Sequence, residues 1–298
     1  MSYFKQQFQK IKTAKGFIAA LDQSGGSTPK TLNLYGINKE QYSNEKEMFD
    51  IIHEMRTRII TNPTFNKDRI LGAILFQNTL ERNIKKMPTA QYLWEKKSIV
   101  PFLKIDKGLD EEQNNVQLMK PIPDLDSMLD FAKSQNVFGT KMRSVIKNAN
   151  AVGIANIVSQ QFTIAKQIIA KGLVPIIEPE VDIYAPEKSH AENLLLTELL
   201  THLDTLQNDQ FVMIKITLPN KNNLYKKCIE HPQVLRVVAL SGGYSREIAN
   251  KKLSQNYGII ASFSRALSEG LSIKQSEDEF TNTLDASIQT IFDASTKK

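Results

Sequence analysis

The sequence predicts one α/β domain over residues 1–298, a single (β/α)8 TIM barrel with helical embellishment at its N-terminal side. Three observations carry that expectation. Eight short β-rich runs recur along the chain. Longer stretches lie between them, with apolar residues at the spacings that line one face of a helix. Charged and polar residues collect at the C-terminal ends of the runs, the rim on which barrels of this class build their sites. Strands alternating with helices imply right-handed βαβ units and a parallel sheet, and eight such units close most economically into a barrel.

The elements follow in order. The first fifteen residues, beginning MSYFKQQFQK, read as helix and lack the apolar core of a signal peptide. The first strand is GFIAALD (16 to 22), and the long segment 28 to 68 is expected to be helical. Next come RILGAILF (69 to 76), IVPFLKID (99 to 106) and NVFGTKMR (136 to 143). The stretch GIANIVSQQFTIAKQIIAKG then has the helical period and leads into VPIIEPEV (174 to 181). HAENLLLTELLTHLDTLQN is a second amphipathic helix, before QFVMIKITL (210 to 218), VLRVVALSG (234 to 242) and GIIASFSR (258 to 265). No internal repeat, low-complexity tract or Gly/Ser linker interrupts the series, which argues against a domain break.

Composition narrows the function classes. At 41% hydrophobic and 23% charged, the chain has the apolar matter for a large core and is not a disordered sequence. The net charge of +6 leans toward an anionic ligand, but the basic residues are scattered among acids rather than gathered into runs. A nucleic-acid binder would interleave surface aromatics with its cations, and no such arrangement is visible. No stretch approaches membrane-spanning length. One cysteine, Cys228, excludes an intrachain disulfide framework. The expected setting is a reducing cytoplasm, with neither a membrane nor a nucleic acid as partner.

Asp22, Lys104, Asp106, Lys141, Arg143, Glu178, Glu180, Lys215, Ser241 and Arg265 all fall at or near strand ends, after apolar N-terminal halves. Any one of them is ordinarily a solvated rim residue, but so many on one rim mark an active site. Lys104 and Asp106, Lys141 and Arg143, and Glu178 and Glu180 are each two apart, so each pair shares a strand face. Consecutive strands are barrel neighbours, which puts Glu178 between Lys141 and Lys215. Lys215 sits in FVMIKITL, the least polar context of the three lysines. A lysine desolvated there and repelled by a second cation is expected to have a lowered pKa and to act as a free amine toward ketones and aldehydes. The resulting iminium is an electron sink that allows the next carbon–carbon bond to break or form. Glu178 suits acid/base work in carbinolamine dehydration, and Asp22 suits the hydroxyl proton of the departing fragment.

The last two strands suggest what the substrate carries. LSGGYS (240 to 245) offers Ser241, Gly242 and Gly243 as a backbone cradle for an anion, and SFSR delivers Arg265 beside it. For SGG alone an ordinary turn is as good a reading; with Arg265, phosphate is favoured. DQSGGSTPK, after the first strand, presents Ser24 and Ser27, with Lys30 as a guess for the cation. Ser27 also suits the cap of the following helix. Two phosphate sites would fit a sugar bisphosphate.

The motifs KGFIAALDQS, FLKIDKG, GTKMR, LVPIIEPEV, VMIKITLP, LSGGYS and SFSRAL resemble, in order and over almost the whole chain, those of class I fructose-bisphosphate aldolases of the short bacterial branch. The resemblance implies a Schiff-base enzyme that reversibly cleaves fructose 1,6-bisphosphate to dihydroxyacetone phosphate and glyceraldehyde 3-phosphate in glycolysis and gluconeogenesis, without metal or cofactor. It implies Lys215 as the imine-forming residue and Glu178 as acid/base, with Asp22, Lys104, Lys141, Arg143 and Glu180 completing the site. Ser241, Gly242 and Arg265 would bind the phosphate of the ketone half. Two departures stand out. The vertebrate branch ends in a tyrosine that assists proton transfer, whereas this chain stops at IFDASTKK with Phe292, which leaves that step unassigned. The glycine before the phosphate-binding arginine is Ser264 here. A metal-dependent aldolase would need clustered ligands, and His53, His190, His202 and His231 show neither close pairing nor HxxxH spacing. Other Schiff-base barrels, such as a transaldolase or an aldolase for a related ketose bisphosphate, share the lysine chemistry and differ in substrate profile.

Overall fold

The computed structural model describes residues 2–297, and each of the eight apolar runs becomes a strand of one closed parallel barrel. The strands are β1 (Phe17–Leu21), β2 (Ile70–Leu75), β3 (Val100–Lys104), β4 (Gly139–Ile146), β5 (Val174–Val181), β6 (Val212–Thr217), β7 (Val234–Leu240) and β8 (Ile259–Phe263). Each pairs in parallel with its sequence neighbour, β8 pairs with β1, and β3 with β4 completes the ring. A two-residue strand, Val116–Gln117, adds antiparallel to β4. The strands read as near-continuous apolar runs because both faces are buried, one by the barrel interior and one by the helices.

The two faces form two cores. Ile18, Val100, Phe102, Val174, Ile176, Met213, Val238 and Ile260 fill the lower barrel interior, while the outward residues pack with the helices in a second, larger cluster. The helix Tyr3–Thr13 plugs the base of the barrel. Its Ile11 joins the interior cluster, and the Phe8 ring lies 5.1 Å from that of Phe211. Arg236 on β7 holds the helix in place, donating to the carbonyls of Ile11 (2.6 Å) and Ala14 (2.8 Å) and so satisfying acceptors at its C-terminal end. The segment 28 to 68 contains helices Thr28–Tyr35 and Glu45–Thr61. The first ends at Gly36 with φ 95°; the second starts at Asn44, whose side chain accepts from the Glu47 N–H.

One strand departs from its expected place. β4 runs from Gly139 to Ile146 rather than over 136 to 143. Asn136 is left-handed (φ 57°) and closes the preceding helix, so the extended run cannot begin there. Lys141 and Arg143 therefore lie within the strand rather than at its end, Lys141 buried and Arg143 half-buried. Among the described residues, no helix is long and apolar enough to cross a membrane.

At Gly139 the backbones of β4 and β5 lie close together: a Cβ there would lie 2.1 Å from the Val174 carbonyl oxygen. Gly139→Ala should therefore destabilise the barrel by about 2 kcal/mol or more in urea unfolding, because backbone rather than a mobile side chain must yield. Gly26→Ala, where a Cβ meets nothing within 4 Å, should leave the midpoint nearly unchanged. Equal midpoints for the two variants would show that the β4–β5 seam is not close-packed at Gly139.

Candidate active site

Above the apolar floor, the inward positions turn charged. The floor residue of β3 is Phe102, and two residues on comes Lys104; on β5 Ile176 is followed by Glu178, and on β6 Met213 by Lys215. Each change of chemistry keeps the strand's period of two, so the charges stack on the floor side chains. The β5–β6 register pairs Ile177 with Ile214, and Glu178 and Lys215 come one step later on each strand. They open into a cavity of about 560 Å³ at the C-terminal ends of the strands.

Glu178 is the hub. Only 3% exposed, it places Oε1 2.9 Å from Lys215 Nζ and Oε2 2.9 Å from Lys141 Nζ. Lys141 Nζ is also 2.7 Å from Asp22 Oδ2, and Lys104 Nζ donates to Asp106. Arg143 Nε pairs with Glu180 Oε2 at 2.5 Å, farther out on the rim. Four cations (Lys104, Lys141, Arg143, Lys215) thus face four carboxylates (Asp22, Asp106, Glu178, Glu180). A neutral set is what a buried site requires, since an unpaired charge there would cost several kcal/mol. The three lysines differ in their partners. Lys104 is engaged by Asp106 through both carboxylate and carbonyl, and Lys141 by two close carboxylates, whereas Lys215 has Glu178 alone.

The cluster sets its own protonation. Burial pushes the Glu178 carboxyl up, but Lys141 and Lys215 overcome that and hold it below the usual carboxylate range. Asp22 is likewise raised by burial and brought well below that range by Lys141, Lys215 and Lys104. Lys141 is lowered by burial and raised further by Asp22 and Glu178, so it stays protonated. Burial and the charge of Lys141 lower Lys104 against the pull of Asp106. Burial opposes the Arg143 charge, and Glu180 outweighs it. Asp22 and Glu178 are therefore ionised in the resting site.

The phosphate candidates line the same cavity. Ser241 and Gly242 follow β7; Gly242 (φ 61°) needs its glycine, since a Cβ would meet Ile183 Cγ2 at 2.7 Å. Gly243 (φ 116°) stands one step back from the cavity, where a Cβ would be 3.6 Å from Arg265 Nη2. The Arg265 guanidinium has no carboxylate partner among the described residues, so its charge is free for a ligand. Ser24 and Ser27 also line the cavity, with Lys30 beside them. Ser27 occupies the helix N-cap position but does not cap; its Oγ accepts from the Ser24 N–H at 3.1 Å and shapes the loop instead. Phe292 packs against the outer core and does not line the cavity.

Several supporting residues were not singled out by sequence reasoning. Gln161 accepts from the Glu178 N–H at 2.8 Å and donates to Ser144 at 3.0 Å, fixing the backbone of the hub. Arg56 and Gln23 form a buried group beneath the Ser24–Ser27 loop. Gln161 and Arg56 each interrupt the buried apolar stripe of a helix, a legible signal. Asp106 was visible beside Lys104, but not its 3.9 Å approach to Lys141. Among the described residues, no group of His, Cys, Asp and Glu is arranged to hold a metal ion.

Comparison with known proteins points one way. The family described as fructose-bisphosphate aldolase class-I matches residues 5–225. A fructose-bisphosphate aldolase class 1 of Porphyromonas gingivalis is 58% identical over 293 residues, 98% of this chain and 99% of its own. Among solved structures, fructose-bisphosphate aldolase from Plasmodium falciparum superposes with a TM-score of 0.78 at 19% identity, covering 99% of this chain and 95% of its own. Cgl0159 from Corynebacterium glutamicum has a TM-score of 0.55 at 12% identity over 98% and 92% of the two chains. At those identities the two structures share the fold.

The ionised hub makes the barrel acid-sensitive in a defined window. Unfolded carboxylates titrate near about 4, and Asp22 and Glu178 have lower native values, so between the two the unfolded chain binds more protons. Their stabilisation is fully present above the unfolded value and is lost as pH falls through the native ones. Asp22→Asn should thus flatten the rise of unfolding free energy with pH between about pH 2 and pH 5, read by urea titrations at several pH values. A curve parallel to that of the unmodified protein would place the acid sensitivity elsewhere.

Proposed function

This chain belongs to the class I fructose-bisphosphate aldolases, and from that premise we propose that it cleaves fructose 1,6-bisphosphate reversibly through an imine on Lys215, with Glu178 moving the protons. The observation that carries the assignment is the shared carboxylate, 2.9 Å from both Lys141 and Lys215. Glu178 is the one carboxylate within ion-pair distance of Lys215 among the described residues. Transfer to Glu178 leaves a free amine, and Lys141 remains to balance the protonated or ionised hub.

The steps then balance. The amine of Lys215 adds to the C2 ketone, giving a carbinolamine; Glu178 returns its proton to the hydroxyl, which leaves as water as the C=N⁺ bond forms. Asp22 takes the proton of the C4 hydroxyl, the C3–C4 pair flows into the iminium, and glyceraldehyde 3-phosphate departs. The enamine that remains takes a proton at C3, Asp22 gives up the one it gained by way of solvent so that the count closes, and water hydrolyses the imine to dihydroxyacetone phosphate and free Lys215. Lys104, Lys141 and the Arg143–Glu180 pair orient the substrate oxygens. The iminium supplies the electron sink a metal ion would otherwise provide, so the reaction is proposed to need neither metal nor cofactor, and EDTA should leave activity intact. Ser241, Gly242, Gly243 and Arg265 would hold the phosphate of the ketone half, and the Ser24–Ser27 loop the other. The whole chain, residues 1–298, would act as one catalytic domain on small sugar phosphates, not on nucleic acid or membranes. The buried Cys228, its thiol pushed up to about 12 by burial, fits a reducing cytoplasm.

Borohydride with dihydroxyacetone phosphate should reduce the imine to a secondary amine on the peptide carrying Lys215 and inactivate the enzyme in step. Lys215→Arg and Lys215→Met should fold but stay unlabelled and inactive, since a guanidinium with a pKa above about 12 cannot attack a carbonyl at neutral pH. Recovery of the adduct on Lys104 or Lys141 would overturn the assignment.

Arg265→Ala should raise KM for the bisphosphate by about tenfold or more while changing turnover of unphosphorylated fructose little, because its cation acts only on a dianion. Equal losses on both would mark a folding defect.

A further inference from the structure

Arg56 is a cation with no evident reason to be buried. It is 1% exposed on the helix Glu45–Thr61, among the buried Met48, Ile52, Met55 and Ile59. No carboxylate pairs with it among the described residues. Burial lowers its pKa to about 10 against the pull of Asp22, so it is charged at neutral pH. A guanidinium held this way carries a desolvation cost that an apolar side chain of like size would avoid.

Its hydrogen bonds run toward the cavity. Nη1 donates to Thr79 Oγ1 at 2.6 Å, and Nη2 donates to the Gln23 carbonyl at 2.7 Å and to Gln23 Oε1 at 3.0 Å. Arginine has donors only, so it selects the amide oxygen of Gln23 and turns the NH₂ the other way. That NH₂ donates to Ser264 Oγ at 2.7 Å. Ser264 is thereby an acceptor toward Gln23, and its own hydrogen has no partner among the described residues. Ser264 lines the cavity immediately before Arg265. Two residues earlier on the same strand, Ser262 lines the cavity too, 1% exposed and with no hydrogen-bond partner for its Oγ. A buried hydroxyl left unmatched is costly unless a ligand completes it.

We infer that Arg56 and Gln23 are positioning residues that turn the Ser264 hydroxyl into a dedicated donor to the phosphate held by Arg265, making Ser264 a further binding residue of this chain. The relay runs Arg56, Gln23, Ser264, phosphate, with each link a donor to the next. It joins the end of β1 to the end of β8 and moves no proton. It rests on the aldolase reading above and adds a ligand to its phosphate site.

The test is the rate of borohydride inactivation with dihydroxyacetone phosphate relative to unphosphorylated dihydroxyacetone. Ser264→Ala should cut the preference for the phosphorylated ketone by about tenfold, the worth of one hydrogen bond to a charged group. Gln23→Met and Arg56→Met should each lower that preference, and neither should lower it further once Ser264→Ala is present. Inhibition by inorganic phosphate should weaken in parallel. Full preference in Ser264→Ala, or losses that simply add in the double variants, would overturn the relay. Equal slowing with both ketones would assign Arg56 a structural role only and overturn it as well. The unmodified enzyme separates this from the function itself: failure to be inactivated by either ketone sinks the aldolase reading, whereas a preference that survives Ser264→Ala sinks only the relay.

Discussion

The site depends on one constraint: a carboxylate and two ammonium groups placed where water is excluded must neutralise one another. Glu178 meets Lys141 and Lys215 at 2.9 Å each, and Asp22 meets Lys141 at 2.7 Å. Removing Glu178 would leave two buried ammonium groups without their shared counterpart, which costs far more than the cluster contributes when intact, whereas removing Lys215 leaves Glu178 paired with Lys141. The surrounding structure serves that geometry. Gln161 fixes the Glu178 backbone, the β5–β6 register fixes the approach of Lys215, and the aromatic and aliphatic floor keeps the ions from sinking further.

The barrel suits this because its period of two is strict. A slip of one residue on β5 would aim Glu178 at the helices and bring Ile177 inward, replacing the hub with an alkyl chain. Gly139 enforces the seam on one side, where backbone meets backbone. Lys141 is the third of the eight residues of β4 and lies within the strand rather than at its C-terminal end, because β4 starts late, after the left-handed Asn136, and runs on to Ile146. Its depth lets it reach Asp22 and Glu178 at once.

Most of this was legible in the residues, for reasons that can be named. Continuous apolar runs ending in charge, such as VPIIEPEV, announce a parallel strand and its rim together, and that is why Glu178 could be placed between two lysines from adjacency alone. The late start of β4 was less legible, because NVF is as strand-like as GTKM and only the turn geometry at Asn136 decides. The roles of Arg56 and Gln161 depend on side chains far apart in sequence. Each is visible as a polar break in an apolar stripe, but what it touches is set by packing. Ser27 shows the converse: the cap its position promised is displaced by a local bond to Ser24.

On the proposed mechanism, the division of charge would let one cavity do both binding and covalent chemistry. The inner cluster pairs each cation with a carboxylate and is formally neutral, so it exerts little net pull on a distant anion. Among the described residues Arg265 and Lys30 have no carboxylate partners, and they stand at the cavity wall, where their charge would be available to a dianionic phosphate. Were the inner lysines unpaired, they would attract the phosphates themselves and draw the substrate too deep, with the ketone past Lys215. On that mechanism, pairing them would leave the phosphates to the rim and the uncharged ketone to the hub, and the distance between rim and hub would then select the reacting carbon.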